Sequence, residues 1–387
     1  MKKIIVNKNG LEKIKYLNLW LHKHDLKKLP KNVHPGELVE VISPKGEFLA
    51  IGYINPKSLI TVRILSFENK KINKNFFVEK IEKAYLLRKK LENITDSFRV
   101  VHSEADEIPG LIVDKYRDYL SVQINTAGIF NLKEEVYQAL IETFKPKGIY
   151  QKCDEKICKI EGFNCQEKII FGDIPEEIQI SENDVKFLIS LKKGQKTGFF
   201  LDQRKNRKVV SNYVEKGFNV LDLFSNVGGF GIYALKNGAN HVDFVDISKE
   251  ACQMIEKNCR LNNLNSYTVF NEDAFDFLNQ NNKKYDLIII DPPPFAKTKK
   301  EIEGAIKGLQ YLVINSIKSL TKDGFIAVFS CSHHIGFEEL NRVLLFSSIK
   351  TGKKINIVEH MFQDIDHPYI LNIPNSLYLK GYLIRPL

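Results

Sequence analysis

Long apolar runs are absent from this sequence of 387 residues, and cysteine is scarce, with six in the whole chain. No stretch approaches the roughly 18 consecutive apolar residues that a membrane-spanning helix needs. The basic start of the chain, Met1–Val6, runs directly into polar residues, a pattern that is not typical of a signal peptide. Six cysteines are too few for a disulfide scaffold. These absences argue against secreted disulfide-rich and integral membrane proteins, and they predict a cytoplasmic protein.

The charge of the chain is strongly uneven. The net charge is +10, of which residues 1–72 carry +8, residues 73–190 carry −4 and residues 191–387 carry +6. The stretch 191–208 alone accounts for the whole excess of the last segment. A basic excess of this kind predicts a polyanionic partner, although a solvated basic surface would give the same count.

Single domains cluster at roughly 100–200 residues, so a chain of this length should contain two or three domains. Three sequence patterns follow one another along it. Residues 1–72 hold short alternating apolar runs separated by turns, which predicts a small β barrel or sheet. Residues 73–188 mix helical and strand patterns, which predicts a small α+β domain. The apolar face of its first helix is predicted to contain Val78, Ile81, Tyr85, Leu86 and Leu91. In residues 189–387 strands alternate with helices, which predicts a doubly wound parallel sheet.

The first strand of that sheet contains Asp222 near its end, and a glycine-containing loop precedes the next helix. The loop residues predicted to bind a cofactor are Phe224, Ser225, Asn226, Gly228 and Gly229. Glycine lets a backbone approach a ligand closely at the carboxyl edge of the sheet. The loop lacks the Gly-x-Gly-x-x-Gly pattern of dinucleotide sites. Because Asp222 would repel a pyrophosphate, a ligand with an amine and a sulfonium charge fits better than NAD.

Acidic residues also follow the second and third strands. Asp246 ends the second strand, where a carboxylate can accept hydrogen bonds from both ribose hydroxyls. Asp273 and Ala274 follow the third strand, where a carboxylate can face an adenine amino group. Many acidic residues at strand ends are only helix caps or surface groups. Three of them in succession, together with the glycine loop, predict S-adenosylmethionine as the cofactor.

Two further strand ends carry residues suited to chemistry on a base. The fourth strand leads into Asp291-Pro292-Pro293, where stiff prolines leave carbonyl groups that can hold a planar ring. The fifth strand leads into Cys331, and strands four and five of such a sheet are neighbours. A thiolate that adds to C6 of cytosine makes C5 nucleophilic, and Asp291 held against N3 would favour that step. Cys331 is therefore the candidate nucleophile, although most lone cysteines are packing residues.

Other candidates for chemistry have weaker support. His333 and His334 follow the candidate nucleophile and are candidates for the base that removes the C5 proton, although histidines near strand ends are more often structural. Cys153, Cys158 and Cys165 lack the paired spacing of a zinc site. The sequence therefore predicts no metal site.

Several longer strings resemble a known protein family. The most specific string is GQKTGFFLDQRKNR at 194–207, and others are EADEIPGLIVD at 104–114, DHP at 366–368 and YLKG at 378–381. With these strings the chain resembles the bacterial and archaeal methyltransferases that make 5-methylcytosine in large-subunit ribosomal RNA. The resemblance covers nearly the whole chain.

The resemblance implies a PUA-like RNA-binding β barrel over 1–72, a linking α+β domain over 73–188 and a Rossmann-like class I methyltransferase domain over 189–387. It places the family's catalytic cysteine and motif-four aspartate on the two strand-end residues already singled out. It also implies that Asp202 and Gln203 close over the cofactor. Lys196 and Arg204, basic residues of the same signature string, are candidate substrate contacts. The implied partner is large-subunit ribosomal RNA or its assembly intermediate, and a homodimer stays open.

Two other functions fit much of the same sequence. Asp-Pro-Pro followed by an aromatic is common in enzymes that methylate a base nitrogen. In this chain Phe295 comes one residue later, after a third proline. Methylation of nitrogen would also give Cys331 no role, whereas methylation of carbon needs a nucleophile, so carbon is favoured. A ribosome-assembly factor with the same fold and no activity is the third possibility, because function resides in the site rather than in the fold.

Overall fold

The computed structural model describes residues 1–30, 32–194, 198–296 and 298–387. The chain divides into two compact units, each built from several stretches of sequence. The first unit comprises Met1–Ile178, Ser190–Phe199 and Asp366–Ser376. The second unit comprises Gln179–Ile189, Phe200–Ile365 and Leu377–Leu387. The division into three domains at residues 72 and 188 stays a prediction.

The first unit opens with a five-stranded sheet. Its elements are β1 (Lys2–Ile5), α1 (Lys8–Lys15), β2 (Trp20–His22), β3 (Glu37–Ile42), β4 (Phe48–Ile54) and β5 (Ile60–Ser66). The strand order is β1-β3-β4-β5-β2. Alternating apolar runs that the sequence shows in residues 1–72 form β3 and β4. The helix α1 has no clear signal in the sequence, and it begins where the Asn7 side chain accepts the backbone N–H of Gly10, a capping bond.

A second sheet of five strands completes the first unit. Its elements are α2 (Lys74–Arg88), β6 (Ser97–His102), β7 (Leu111–Tyr116), β8 (Tyr119–Ile124), α3 (Ala127–Asn131), α4 (Lys133–Phe144), β9 (Gly148–Lys152), α5 (Glu155–Glu161) and β10 (Lys168–Gly172). The strand order is β10-β9-β8-β7-β6. Strands and helices alternate without a regular repeat here, as an α+β arrangement requires.

Helix α2 buries most of the face that the sequence predicts, with one exception. Ile81 and Leu91 are buried, Val78 and Tyr85 are partly buried against the core, and Leu86 is 65% exposed. Arg88 is buried on the same side of the helix as Ile81. Arg88 fits there because its two terminal nitrogens donate to the carboxylate of Asp106 at 2.6 and 2.7 Å. Only the prediction for Leu86 is wrong. The buried side of the helix continues through Arg88, and an apolar pattern does not assign a charged residue to a buried position.

The second unit holds a hairpin and a large sheet. Its elements are β11 (Ile178–Glu182), β12 (Val185–Ile189), α6 (Arg204–Ser211), β13 (Asn219–Leu223), α7 (Gly229–Lys236), β14 (His241–Asp246), α8 (Lys249–Leu261), β15 (Tyr267–Asn271), α9 (Ala274–Gln280), β16 (Tyr285–Ile290), α10 (Ile302–Lys318), β17 (Leu320–Ser330), α11 (Phe337–Thr351), β18 (Ile355–Phe362) and β19 (Lys380–Pro386). In the described part of the chain, no helix combines the length and apolar character that crossing a bilayer demands.

The large sheet has the order β15-β14-β13-β16-β17-β19-β18. The first five strands in this order are parallel, and β19 runs antiparallel to both of its neighbours. The order reverses between β13 and β16, and ligands of such sheets bind at the carboxyl ends of strands beside this switch point. The predicted doubly wound sheet is confirmed.

Candidate active site

A strained loop joins β13 to α7 at the carboxyl edge of the sheet. Phe224, Asn226 and Gly228 have φ values of 58°, 52° and 85°, and this left-handed region is unfavourable for a bulky residue. Ser225 anchors the loop, because its hydroxyl donates to the carbonyl oxygen of Asp222 at 2.5 Å and accepts a backbone N–H of β14 at 3.0 Å. Such strain is characteristic of ligand sites.

Asp222 is the buried acid at the base of this loop, with 1% of its surface exposed. Its Oδ2 accepts the backbone N–H of Gly231 at 2.8 Å. Burial raises the pKa of Asp222 to about 8, helped by the charges of Asp291 and Asp246 and opposed by the hydrogen bond. A carboxyl group poised in this way ionises readily when a cationic group approaches it.

Asp246 holds the loop from the neighbouring strand. Its Oδ2 accepts the N–H of Asn226 at 2.8 Å and its Oδ1 accepts the N–H of Ser248 at 2.9 Å. Burial raises the pKa of Asp246 as well. The next residue, Ile247, is 72% exposed, so an apolar surface lies directly beside the carboxylate. Ile247 is not among the residues predicted from the sequence, although its place directly after the acidic end of a strand was a usable signal.

Asp273 and Ala274 lie at the start of α9. The Oδ1 of Asp273 accepts the N–H of Phe275 at 2.8 Å, which makes Asp273 the N-cap of the helix. Ala274 is buried. The capping role, which the sequence left open, is therefore present, and contact with an adenine amino group stays a prediction.

The candidate nucleophile lies at the ends of β16 and β17, which pair in parallel. The Cys331 thiol is half-buried and lies 3.8 Å from the carbonyl oxygen of Pro292, to which it donates. Asp291 is also half-buried, and Pro293 is exposed. The structure thus brings Asp291, Pro292 and Cys331 to one edge of the sheet, as the strand order predicts.

Lys380, at the start of β19, is a charged residue near this site that is not among the site residues predicted from the sequence. It pairs with Ser330 across the antiparallel ladder between β17 and β19. Its Nζ donates to the carbonyl oxygen of Ser332 at 2.8 Å, and the residue is 4% exposed. Burial lowers the pKa of Lys380 to about 8, and the charges of Cys331 and Glu339 oppose this shift. An ammonium group therefore lies close enough to act electrostatically on the candidate thiolate.

The two histidines after the candidate nucleophile make local contacts. The ring of His333 lies 5.9 Å from the ring of Tyr378, measured between centroids. The backbone N–H of His334 donates to the hydroxyl of Ser332 at 3.3 Å. Neither contact assigns a proton-transfer role, which stays a prediction for both residues.

Comparisons with known proteins identify the family of the chain. Residues 4–67 match the model of a PUA-like domain, and residues 205–358 match a family described as conserved hypothetical protein 95. Ribosomal RNA large subunit methyltransferase I of Aliivibrio fischeri is 34% identical over 376 residues, which cover 95% of this chain and 94% of that protein. The Vibrio campbellii protein of the same name is 33% identical over 390 residues and 98% of both chains.

The chain belongs to the ribosomal RNA large subunit methyltransferase I family. Among solved structures, a SAM-dependent methyltransferase from Streptococcus mutans covers all of both chains with a TM-score of 0.85 and 22% identity. A methyltransferase solved in complex with SAH has the same TM-score, identity and coverage. These structures confirm the fold, including the carboxyl-terminal methyltransferase domain.

In this member of the methyltransferase I family, the signature string contributes buried side chains to the second unit. Asp202, Gln203 and Arg204 are 5%, 2% and 1% exposed. Arg204 forms an ion pair with Asp364 at 2.8 Å, which is a structural role, and contact with substrate would require that pair to open. Lys196, the other predicted substrate contact, lies outside the described residues.

Proposed function

We propose that this protein transfers a methyl group from S-adenosylmethionine to C5 of a cytidine in large-subunit ribosomal RNA, through a covalent bond between Cys331 and C6. The coarser activity, SAM-dependent methylation of that RNA, is supported by membership of the methyltransferase I family. The carbon specificity is supported by one observation above all. A half-buried thiol lies 3.8 Å from the Pro292 carbonyl, beside Asp291, at the edge where the cofactor loop also ends.

The residues of the loop fit S-adenosylmethionine. Asp222 offers a buried carboxyl group that a ligand amine would ionise, and Asp246 lies beside the exposed side chain of Ile247, which suits a ribose joined to a flat base. Gln203 is buried, and its Nε2 finds no acceptor within the described residues, so it has a donor to offer. When bound, the cofactor supplies an electrophilic methyl group.

Cys331 performs the first chemical step in this proposal. Its thiol loses a proton to solvent, the thiolate sulfur bonds to C6, and the electron pair of the C5–C6 double bond moves onto C5, which becomes nucleophilic. Lys380, as an ammonium group, stabilises the thiolate before it attacks. Asp291 acts at N3, where it favours the charge change that accompanies the addition. The activated C5 then takes the methyl group.

The reaction ends when C5 loses its proton and the bond between sulfur and C6 breaks. A base is required for that proton. His333 and His334 remain the candidates from the sequence. Release of the thiolate restores Cys331 and aromaticity in the same step, so no external oxidant or reductant is needed.

The proposed RNA partner fits the exposed charge of the molecule. Lys193 of the first unit and Lys205 and Lys208 of the second are exposed, and exposed lysines suit phosphate contacts. Arg204 and Arg207, which the charge count also included, are buried in ion pairs. The amino-terminal PUA-like domain supplies the second proposed RNA-binding surface.

Cofactor binding is expected to release close to one proton at pH 7. Asp222, with a pKa of about 8, is protonated in most molecules at that pH and must ionise to pair with a cationic amine. Affinity should therefore rise with pH and level off above about pH 8. Calorimetry of S-adenosylmethionine binding in two buffers of different ionisation enthalpy measures this release. Asp222→Asn should abolish it and weaken binding at least about tenfold.

The matched control is Asp276→Asn, which changes an exposed acid on α9 and should alter neither proton release nor affinity. The raised pKa also fixes the sign of a stability effect. Between about pH 4 and pH 8 the native state holds a proton that the unfolded chain has lost, so the ligand-free protein loses stability as pH rises through this window. Wild-type levels of proton release in Asp222→Asn would remove Asp222 from the cofactor site.

The experiment that tests the proposed reaction uses RNA that carries 5-fluorocytidine. Fluorine at C5 blocks the final proton removal, so the enzyme and RNA should remain covalently joined after denaturation. Adduct formation should require both S-adenosylmethionine and Cys331. Methyl transfer to unmodified RNA without any adduct on the fluorinated RNA would favour nitrogen methylation. Absence of both transfer and cofactor binding would favour a non-catalytic assembly factor.

A further inference from the structure

Three cysteines that are separate in the sequence converge in the first unit. Cys153 follows β9, Cys158 lies on α5, and Cys165 lies in the segment that leads to β10. The three sulfur atoms all lie within 4.8 Å of one another, and those of Cys153 and Cys158 are 3.7 Å apart. Spacings of five and seven residues gave no sign of this convergence, because it depends on how α5 folds back beside β9.

The distances suit three ligands of one ion. A zinc–sulfur bond of about 2.3 Å in a tetrahedral site places sulfur atoms about 3.8 Å apart. A disulfide requires about 2.05 Å, and a disulfide between Cys153 and Cys158 would leave the third sulfur unused. Zinc is the ion that three thiolates select most readily among common redox-stable metals.

A buried amide beside the cluster is oriented toward sulfur. The hydroxyl of Tyr137 donates to Oε1 of Gln151, so the Nε2 of the same amide must face the other way. That Nε2 donates to Sγ of Cys165 at 3.4 Å and to the carbonyl oxygen of Gln166 at 2.8 Å. Gln151 is 3% exposed. Hydrogen bonds that orient a ligand and stabilise its charge are a regular feature of metal sites.

We propose that Cys153, Cys158 and Cys165 bind one Zn²⁺ ion as thiolates. Cys158 is buried, whereas Cys153 and Cys165 are half-buried, so solvent can reach the fourth position of the tetrahedron. The site belongs to the first unit, and the proposed methyl-transfer residues belong to the second. Its role is structural, and it does not depend on the proposed reaction.

Zinc at this site would stabilise a junction within the first unit. Helix α5 ends at Glu161, whose carboxylate accepts from Arg63 at 3.0 Å and from Asn55 at 2.8 Å. Both donors belong to the first sheet or its β4–β5 turn. An ion that fixes α5 to the end of β9 therefore also holds Glu161 in place to accept these two hydrogen bonds.

The test uses the full-length protein, purified without a polyhistidine tag in a reducing buffer, and measures metals by mass spectrometry. We expect about one zinc per chain in the wild type and at least a fivefold loss in the Cys153→Ser/Cys165→Ser variant. The matched control is Cys252→Ser/Cys259→Ser, which changes two cysteines of α8 and should keep its zinc. Equal zinc in all three proteins would overturn the proposal, as would copper or iron in place of zinc.

A second measurement does not depend on how the variants fold. The wild-type protein, freed of metal by a chelator under reducing conditions, is titrated with Co²⁺. Binding at one equivalent should produce thiolate-to-cobalt charge-transfer absorption and the visible bands of tetrahedral cobalt, and Zn²⁺ should displace both. A titration without these bands would contradict the site.

Discussion

Replacing Cys331 with alanine is expected to lower methyl transfer to RNA at least about 10³-fold, because loss of a covalent nucleophile removes the step that activates C5. The affinity for S-adenosylmethionine should stay within about twofold of the wild-type value, since the binding residues of the loop are unchanged. Transfer is measured as tritium incorporation into ribosomal RNA, and affinity is measured by calorimetry. The variant should also form no adduct with 5-fluorocytidine RNA.

The control for this prediction is Cys252→Ala, which removes another thiol of the same unit. Cys252 is buried and donates to the carbonyl oxygen of Asp246 at 3.4 Å, so its loss tests whether any nearby cysteine substitution disturbs the cofactor loop. It should keep most of the activity. A Cys331→Ala enzyme with near wild-type turnover would show that the thiol is not the nucleophile and would shift the assignment to nitrogen methylation.

The sequence predicts the parallel sheet well because its signal is local. Strands such as β16 are continuous apolar runs that are buried on both faces, and each is separated from the next by an amphipathic helix. Strand ends in such a sheet meet at one edge, so the order of strands along the chain is enough to assign Asp222, Asp246 and Asp291 to a common region. Cys331 follows by the same rule.

The burial of a charged residue is harder to predict when its partner lies elsewhere along the chain. Arg207 resembles a phosphate contact in the sequence, yet its guanidinium donates twice to Glu182 of β11, at 2.6 and 2.8 Å. Lys380 resembles a surface lysine of an ordinary strand until β19 pairs with β17. In both cases the decisive partner lies far away along the chain, and charge alone does not show whether a side chain is solvated or buried.

Lys380→Met is expected to reduce methyl transfer about 10²-fold or more, a loss typical of removing one charged group from a reacting pair. The reason is proximity: the Lys380 ammonium group and the Cys331 thiolate interact electrostatically, and each favours the charged form of the other. Lys380→Arg should recover much of the rate, because arginine keeps the positive charge. A role as proton acceptor would instead leave the arginine variant as inactive as the methionine variant.

Stability and thiol reactivity separate this role from a merely structural one. The pKa of Lys380 is lowered to about 8 by burial, so below pH 8 the native state holds a buried charge that the unfolded chain would solvate better. Removing the ammonium group should therefore not lower the melting temperature at pH 7. The wild type should gain stability as the pH rises from about 8 to 10, and this gain should be absent in Lys380→Met.

Alkylation of Cys331 by iodoacetamide, followed by mass spectrometry across pH, measures how readily its thiolate forms. In Lys380→Met the pH of half-maximal reaction should move upward by about one unit, since the thiolate loses a neighbouring positive charge. The lysine then acts through Cys331 as a positioning and charge-supplying residue. If the alkylation profile is unchanged and activity falls only in step with the melting temperature, Lys380 serves the fold, and the thiolate must be stabilised by another group at this edge.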